Sequence, residues 1–269
     1  MKAEKILFIT QEITPFVPES PMAKVSNDFP QAIQDQVKET RIFTPLWGII
    51  NTRRNNLHEV QRLSGMNLII DDTDHPLIIR VASLQATRMQ VYFIENEDYF
   101  HNRLMTVDAD GNEYEDNDER SIFFTLGVLE AVKKQRWCPE IIHCNGWISA
   151  LVPLYVKHAY KDEPSFRDSK VVISLHDDCF NGSLSENFAK KLFCKEMAED
   201  AIAGLNSPVT YEELMKFAIR NCDGITINGN NVPTALIEYA KEQGKAILPK
   251  QSEEEFSAQC YNFYNTLLD

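Results

Sequence analysis

Short apolar runs without alternation recur from one end of this chain to the other: Lys5–Thr10, Thr40–Phe43, Ile141-Ile142, Val171–Leu175, Gly224–Ile227 and Ala246–Leu248. Such a run is apolar on both faces, and a strand of that kind needs helices covering both sides of its sheet. Helical patterns between the runs supply that cover, at Met22–Val37, Glu119–Arg136, Ile148–Tyr160, Glu186–Asp200, Thr210–Asn221, Val232–Gln243 and Ser252–Leu268. The expectation is an α/β fold, a Rossmann-like three-layer domain on a mostly parallel sheet, with residues 1–269 forming one unit.

Local signals sharpen the pattern. Pro30 falls inside the first helical stretch and predicts a kink or break there. Thr210 with Glu213, and Ser252 with Glu255, read as helix starts, and Gly244 as a helix stop. From Glu59 to Ile94 the rhythm changes. Val60-Arg62-Ser64, Asn67–Ile70, Leu77–Ala82 and Met89–Ile94 are short β-rich runs, with a turn at Asp71-Asp72-Thr73-Asp74, and they predict a β-hairpin or meander excursion. Asp98–Asp118 reads as a polar loop before a long amphipathic helix.

Composition narrows the function classes. Hydrophobic residues make up 43% of the chain, enough for a proper core, and the formal net charge is -13. No Lys/Arg cluster offers a phosphate-binding patch, so neither nucleic acid nor an anionic membrane is an expected partner. The six cysteines form no C-x-x-C pair and read as reduced thiols. MKAEKILFIT reads as the first strand, not as a signal peptide, and the expected location is cytoplasmic. The acidic stretch Asp108–Glu119 has the oxygen ligands of a calcium loop at several positions, but Glu113 stands where the turn needs glycine. It reads as a solvated loop feeding a helix N-terminus, and no metal site is expected.

Candidate site residues cluster where strands end. His143-Cys144-Asn145-Gly146-Trp147 follows Glu140-Ile141-Ile142, and His176-Asp177-Asp178 follows Val171–Leu175. The carboxyl edge of an open parallel sheet is where such folds bind ligands. Two histidines there are candidates for acid/base or ligand-orienting work, and equally for hydrogen bonding that shapes a loop. Asp177 and Asp178 suit a hydroxylated ligand or a turn cap. The loop after the first strand, Pro18-Glu19-Ser20-Pro21, lacks a glycine-rich phosphate cradle, since proline has no N–H and Glu19 adds repelling charge. Lys24 is one turn into the next helix.

These residues, taken in order, resemble bacterial glycogen synthases and plant starch synthases, retaining glucosyltransferases of GT-B architecture with two facing Rossmann domains. Ile9-Thr10-Gln11-Glu12 with Pro15 is similar to the family's first strand and S-E-x-x-P turn. Val91-Tyr92-Phe93-Ile94, Tyr99-Phe100 and Arg103 resemble its V-Y-F-I-D and Y-F-x-R run. Asp116-Asn117, Arg120 and Phe123-Phe124 resemble D-N-x-x-R-F-x-x-F. Ile142–Trp147 resembles V-H-x-H-D-W, and Leu175-His176-Asp177 resembles I-H-N. Lys216 through Thr226 is similar to the end of the amino-terminal domain, so the likeness spans about the whole chain.

The resemblance implies half of a GT-B architecture, the amino-terminal domain without its second Rossmann partner. It implies ADP-glucose as the family's donor, a role in glycogen biosynthesis, and Glu12, His143, Asn145, Trp147, His176 and Asp177 as ligand-binding candidates. The family's K-T-G-G-L donor loop falls on Pro18-Glu19-Ser20-Pro21-Met22, and its catalytic H-D on Asn145-Gly146. No catalytic residue is therefore intact, and no cofactor is expected. The leading expectation is a pseudoenzyme-like domain that binds a glucan or a protein partner. An active half completed by a separate carboxyl-terminal GT-B chain, or a regulatory or structural subunit, are the alternatives.

Overall fold

The computed structural model describes residues 2–192, 197–205 and 207–269. Its frame is a mixed sheet ordered β10-β9-β8-β7-β1-β2-β6-β5-β3, with β4 paired to β5. The central strands are β1 (Lys5–Thr10), β2 (Glu39–Pro45), β6 (Gln90–Glu95), β7 (Ile141–Asn145), β8 (Lys170–Leu175), β9 (Gly224–Ile227) and β10 (Ala246–Leu248), all parallel. The apolar runs form them because both faces are covered: Ile6 through Ile9 are fully buried. From β1 the sheet grows one way through β2 and β6 and the other way through β7 to β10. The strand order therefore reverses between β1 and β7, which opens a crevice at their carboxyl ends.

The β excursion is present, with β3 (His58-Glu59), β4 (Met66–Ile70) and β5 (Thr73–Ser83) running antiparallel. Asp71 and Asp72 turn the β4–β5 hairpin with φ of 44° and 66°, the left-handed pair that a two-residue hairpin loop demands. Val60–Ser64 is a turn rather than a strand; the paired residues are His58 and Glu59.

The helices are α1 (Pro21–Ala32), α2 (Asn117–Lys134), α3 (Val152–Lys157), α4 (Phe188–Leu192), α5 (Tyr211–Asn221), α6 (Thr234–Glu242) and α7 (Glu253–Leu268). α1 runs through Pro30 and ends at Ala32, where a 3-10 turn at Gln34–Gln36 replaces the expected continuation to Val37. α3 starts at Val152 instead of Ile148, because a 3-10 turn at Trp147–Ser149 comes first and Pro153 permits the helix only as an early-turn residue. The predicted capping box of α5, Thr210 with Glu213, is formed. Part of the helix expected over Glu186–Asp200 lies outside the described residues. α7 packs back on the sheet through Phe263 and Tyr264, and Tyr261 donates to the carbonyls of Ala3 and Gln36. Among the described residues no helix is long and apolar enough to cross a membrane, and no cluster suits a metal ion.

Candidate functional site

A cleft of about 260 Å³ lies at the crevice, lined from β1 by Gln11 and Glu12, from β7 by Trp147, from β8 by His176 to Phe180, and from β9 by Asn228 to Asn230. Ser20, Pro21 and Met22 at the start of α1, with Thr106, Val107 and Glu113, close its remaining sides. A larger hollow of about 700 Å³ beside Asn51–Asn56 and the end of β5 shares no lining residue with it.

The sequence candidates separate into two sets. Glu12, Trp147, His176 and Asp177 line the cleft. His143 does not, and this corrects the expectation. β7 runs on through Asn145 instead of stopping at Ile142, so His143 sits inside the strand with its ring under the α1–α7 layer. It is 1% exposed. One ring nitrogen meets the Tyr264 hydroxyl, and Nε2 is 2.6 Å from the Ser174 hydroxyl, which continues to Thr226. Burial pushes its pKa down to about 3, with the nearby His176 adding to the effect. A neutral imidazole sealed in this way has no route to a ligand.

Asn145 is buried and acts indirectly: its Oδ1 is 3.1 Å from His176 Nε2. Trp147 offers no open stacking face either. Its ring is 2% exposed and packs edge-on against Phe180, centroids 4.9 Å apart. Its backbone N–H donates to Asp178 at 2.7 Å. Tyr211 donates to the other oxygen of Asp178, yet burial still raises that carboxyl to a pKa of about 6. Asp177 accepts the backbone N–H groups of Asn230 and Asn231, so it holds the β9 loop against the cleft.

The loop carrying Pro18, Glu19, Ser20 and Pro21 presents few donors to the cleft. Pro18 and Glu19 are exposed. Ser20 caps α1 by accepting from Ala23 N–H at 2.9 Å, and its hydroxyl donates to the Glu12 carboxylate. Pro21 has no N–H to offer. The helix end that would otherwise hold a phosphate is thus spent on a serine and faces a carboxylate. Lys24 reaches Asp28 and Glu253 rather than the cleft. None of the described lining residues is a lysine or arginine.

Two further residues gain their role only from the fold. Gly146 has φ 87° and ψ 149°, a region essentially confined to glycine. A Cβ there would lie 2.6 Å from Gln11 Cβ. Gln11 in turn accepts from Ile148 N–H at 3.3 Å and lines the cleft floor. A glycine just past a strand end was the available signal, but only the fold shows what crowds it.

A parallel sheet whose strand order reverses beside a ligand-sized cleft defines the class: a Rossmann-like, doubly wound α/β domain. The chain belongs to the starch synthase catalytic domain family, whose model matches residues 5–239. Among its relatives, the glycogen synthase of Chlorobium luteolum is 34% identical over 223 residues, 82% of this chain and 45% of that protein. The glycogen synthase of Chlorobaculum parvum is 33% identical over 239 residues, 88% and 47%. The catalytic domain of starch synthase IV from Arabidopsis thaliana, solved with ADP and acarbose, superposes with a TM-score of 0.73 at 16% identity, covering 94% of this chain and 52% of that one. The chain spans a little under half the length of the curated relatives it matches.

Proposed function

We propose that this glycogen/starch synthase-like domain binds a neutral glucan in the cleft at the β1–β7 switch point and does not itself transfer glucose from ADP-glucose. One observation carries the reading: the α1 N-terminus, where the family resemblance puts the donor loop, is capped by Ser20 and faces the Glu12 carboxylate. A diphosphate brought there would meet the Glu12 carboxylate with no lysine or arginine among the described lining residues, and Lys250 at the rim is engaged by Asn230. Sugar hydroxyls, in contrast, donate readily to carboxylates and to an imidazole nitrogen. The Gly146 backbone adds support, since that conformation excludes the aspartate of the family pattern.

Calorimetric titration with maltotetraose, ADP and ADP-glucose tests the reading. The expected outcome is binding of maltotetraose without detectable ADP or ADP-glucose binding, and no glucosyl incorporation into glucan. ADP-glucose-dependent elongation by this chain alone would sink it. Elongation only when a second Rossmann-type chain is added would move the reading to an active half whose cations come from a partner.

A further inference from the structure

Asn145 Oδ1 and His176 Nε2 are 3.1 Å apart, both side chains almost wholly buried. An amide oxygen only accepts, so the ring nitrogen carries the proton and donates it. Burial lowers the ring's pKa to about 4, with Asp177 pulling the other way, and His176 is neutral near pH 7. A neutral ring protonated at Nε2 has a bare lone pair on Nδ1. His176 lines the cleft, and among the described residues no group donates to that nitrogen. The carboxylates that share the cleft point the same way. Glu12 already accepts from Ser20, Glu113 from the backbone of Asn181, and Asp178 from Trp147. All present oxygens that only accept when ionised.

We infer that His176 is a hydrogen-bond acceptor for a ligand hydroxyl, fixed in that tautomer by Asn145 as a positioning residue, in a cleft whose carboxylates favour neutral polyhydroxyl ligands over phosphorylated ones. The glucan reading above supplies the identity of the ligand; the tautomer assignment stands apart from it. Asn145 here does by hydrogen bonding what no charge in the cleft does, since it sets which nitrogen faces the ligand without altering the net charge.

The test is long-range proton–nitrogen NMR of the imidazole rings at pH 7.5, with His176 assigned through His176→Gln, alongside calorimetry. In the free protein His176 is expected as the Nε2–H tautomer. Maltotetraose should shift Nδ1 from its bare-acceptor position toward the hydrogen-bonded one, and glucose 1-phosphate should bind at least tenfold more weakly. Asn145→Leu should give a mixture of tautomers and about tenfold weaker maltotetraose binding, a factor of ten corresponding to about 1.4 kcal/mol. Asn145→Asp, which keeps the acceptor, should keep the tautomer. An Nδ1–H tautomer or an imidazolium in the free protein overturns the inference whatever binds. Maltotetraose binding seen by calorimetry with Nδ1 unmoved overturns the acceptor role. The Nε2–H tautomer with no maltotetraose binding keeps the Asn145–His176 assignment and overturns the glucan reading instead.

Discussion

Gly146 and Gln11 look like a paired exchange at the scale of single residues. The family pattern has aspartate and serine at these positions. Here the longer side chain just past β1 brings its Oε1 to 3.0 Å from where the missing Cβ would be, while its Cβ, which a serine would share, lies at 2.6 Å. Gly146→Asp should cost about 2–4 kcal/mol, from overpacking and from a backbone conformation non-glycine residues resist. Gln11→Ser alone should cost about 1–2 kcal/mol, because Ile148 N–H loses its acceptor. The double variant should be less destabilised than the sum by about 0.5–1 kcal/mol, since the Oε1 contact is relieved while the Cβ contact stays, read from denaturant unfolding of all four proteins. Strict additivity would mean the two positions do not compensate. The same strand shows what the sequence could reveal and what it could not. His143 and His176 both follow isoleucine- or leucine-rich runs and look equivalent. The run before His143 is part of a strand that does not stop there, because Cys144 and Asn145 continue pairing with Ile9 and Thr10. His176 lies one residue beyond its strand and reaches the cleft. Apolar periodicity marks where burial begins, but it marks poorly where polar residues carry a buried strand onward.

At the scale of elements, Arg120 on α2 organises the segment that walls the cleft. Its guanidinium is fully buried and donates to the Tyr99 carbonyl at 2.7 Å, to Asn117 Oδ1 at 2.6 Å and to the Met105 carbonyl at 2.7 Å. The rings of Trp47, Phe100 and Tyr114 surround it. Asn117 passes the constraint on by donating to the Thr106 carbonyl, next to the cleft residue Val107. Burial lowers the guanidinium pKa to about 10, which still leaves it charged. Arg120→Met should destabilise by about 3 kcal/mol or more, since buried carbonyls lose their donor. Limited proteolysis should then cut near the exposed turn at Asp110-Gly111 faster than in the parent. Arg120→Lys should not restore protection, because one ammonium cannot reproduce a planar fork across three acceptors. An unchanged cutting rate would show that the segment is held by other contacts. Nothing local in Asp98–Asp118 announces this order, which is why it reads as a plain polar loop. The hairpin at Asp71-Asp72 was legible because its turn chemistry is contained in two adjacent residues.

On the scale of the whole molecule, three groups at the β7–β8 edge, His143, His176 and Asp178, bear on how the fold responds to acid, and they do not agree in sign. His143 and His176 have pKa values lowered by burial to about 3 and about 4. The unfolded chain therefore takes up their protons first, and stability that is full above about pH 6.5 is lost as the pH falls toward those values. Asp178 is raised by burial to about 6, with the hydrogen bonds from Trp147 and Tyr211 lowering it only in part. The folded chain binds that proton first, so its contribution grows as the pH falls from 6 toward the ordinary carboxylate range. Two groups oppose one, and the net expectation is loss of stability between pH 6.5 and 4. Asp178→Asn removes the opposing group while keeping an oxygen for Trp147 N–H and a side chain that Tyr211 can pair with. The variant should be more stable than the parent at pH 7 by roughly 1–2 kcal/mol, the carboxyl being only partly shielded from water. It should also lose stability more steeply toward pH 4.5, so the two curves converge. Denaturant midpoints at pH 7, 6, 5 and 4.5 check both parts. Parallel curves would mean that Asp178 is ionised throughout, held so by the two hydrogen bonds that join the Trp147 turn to α5. The histidine arm then accounts for the acid response together with the lowered carboxyls of Glu119 and Asp108. Because His143 is sealed by Tyr264 of α7, that arm depends on the last helix staying docked across the sheet.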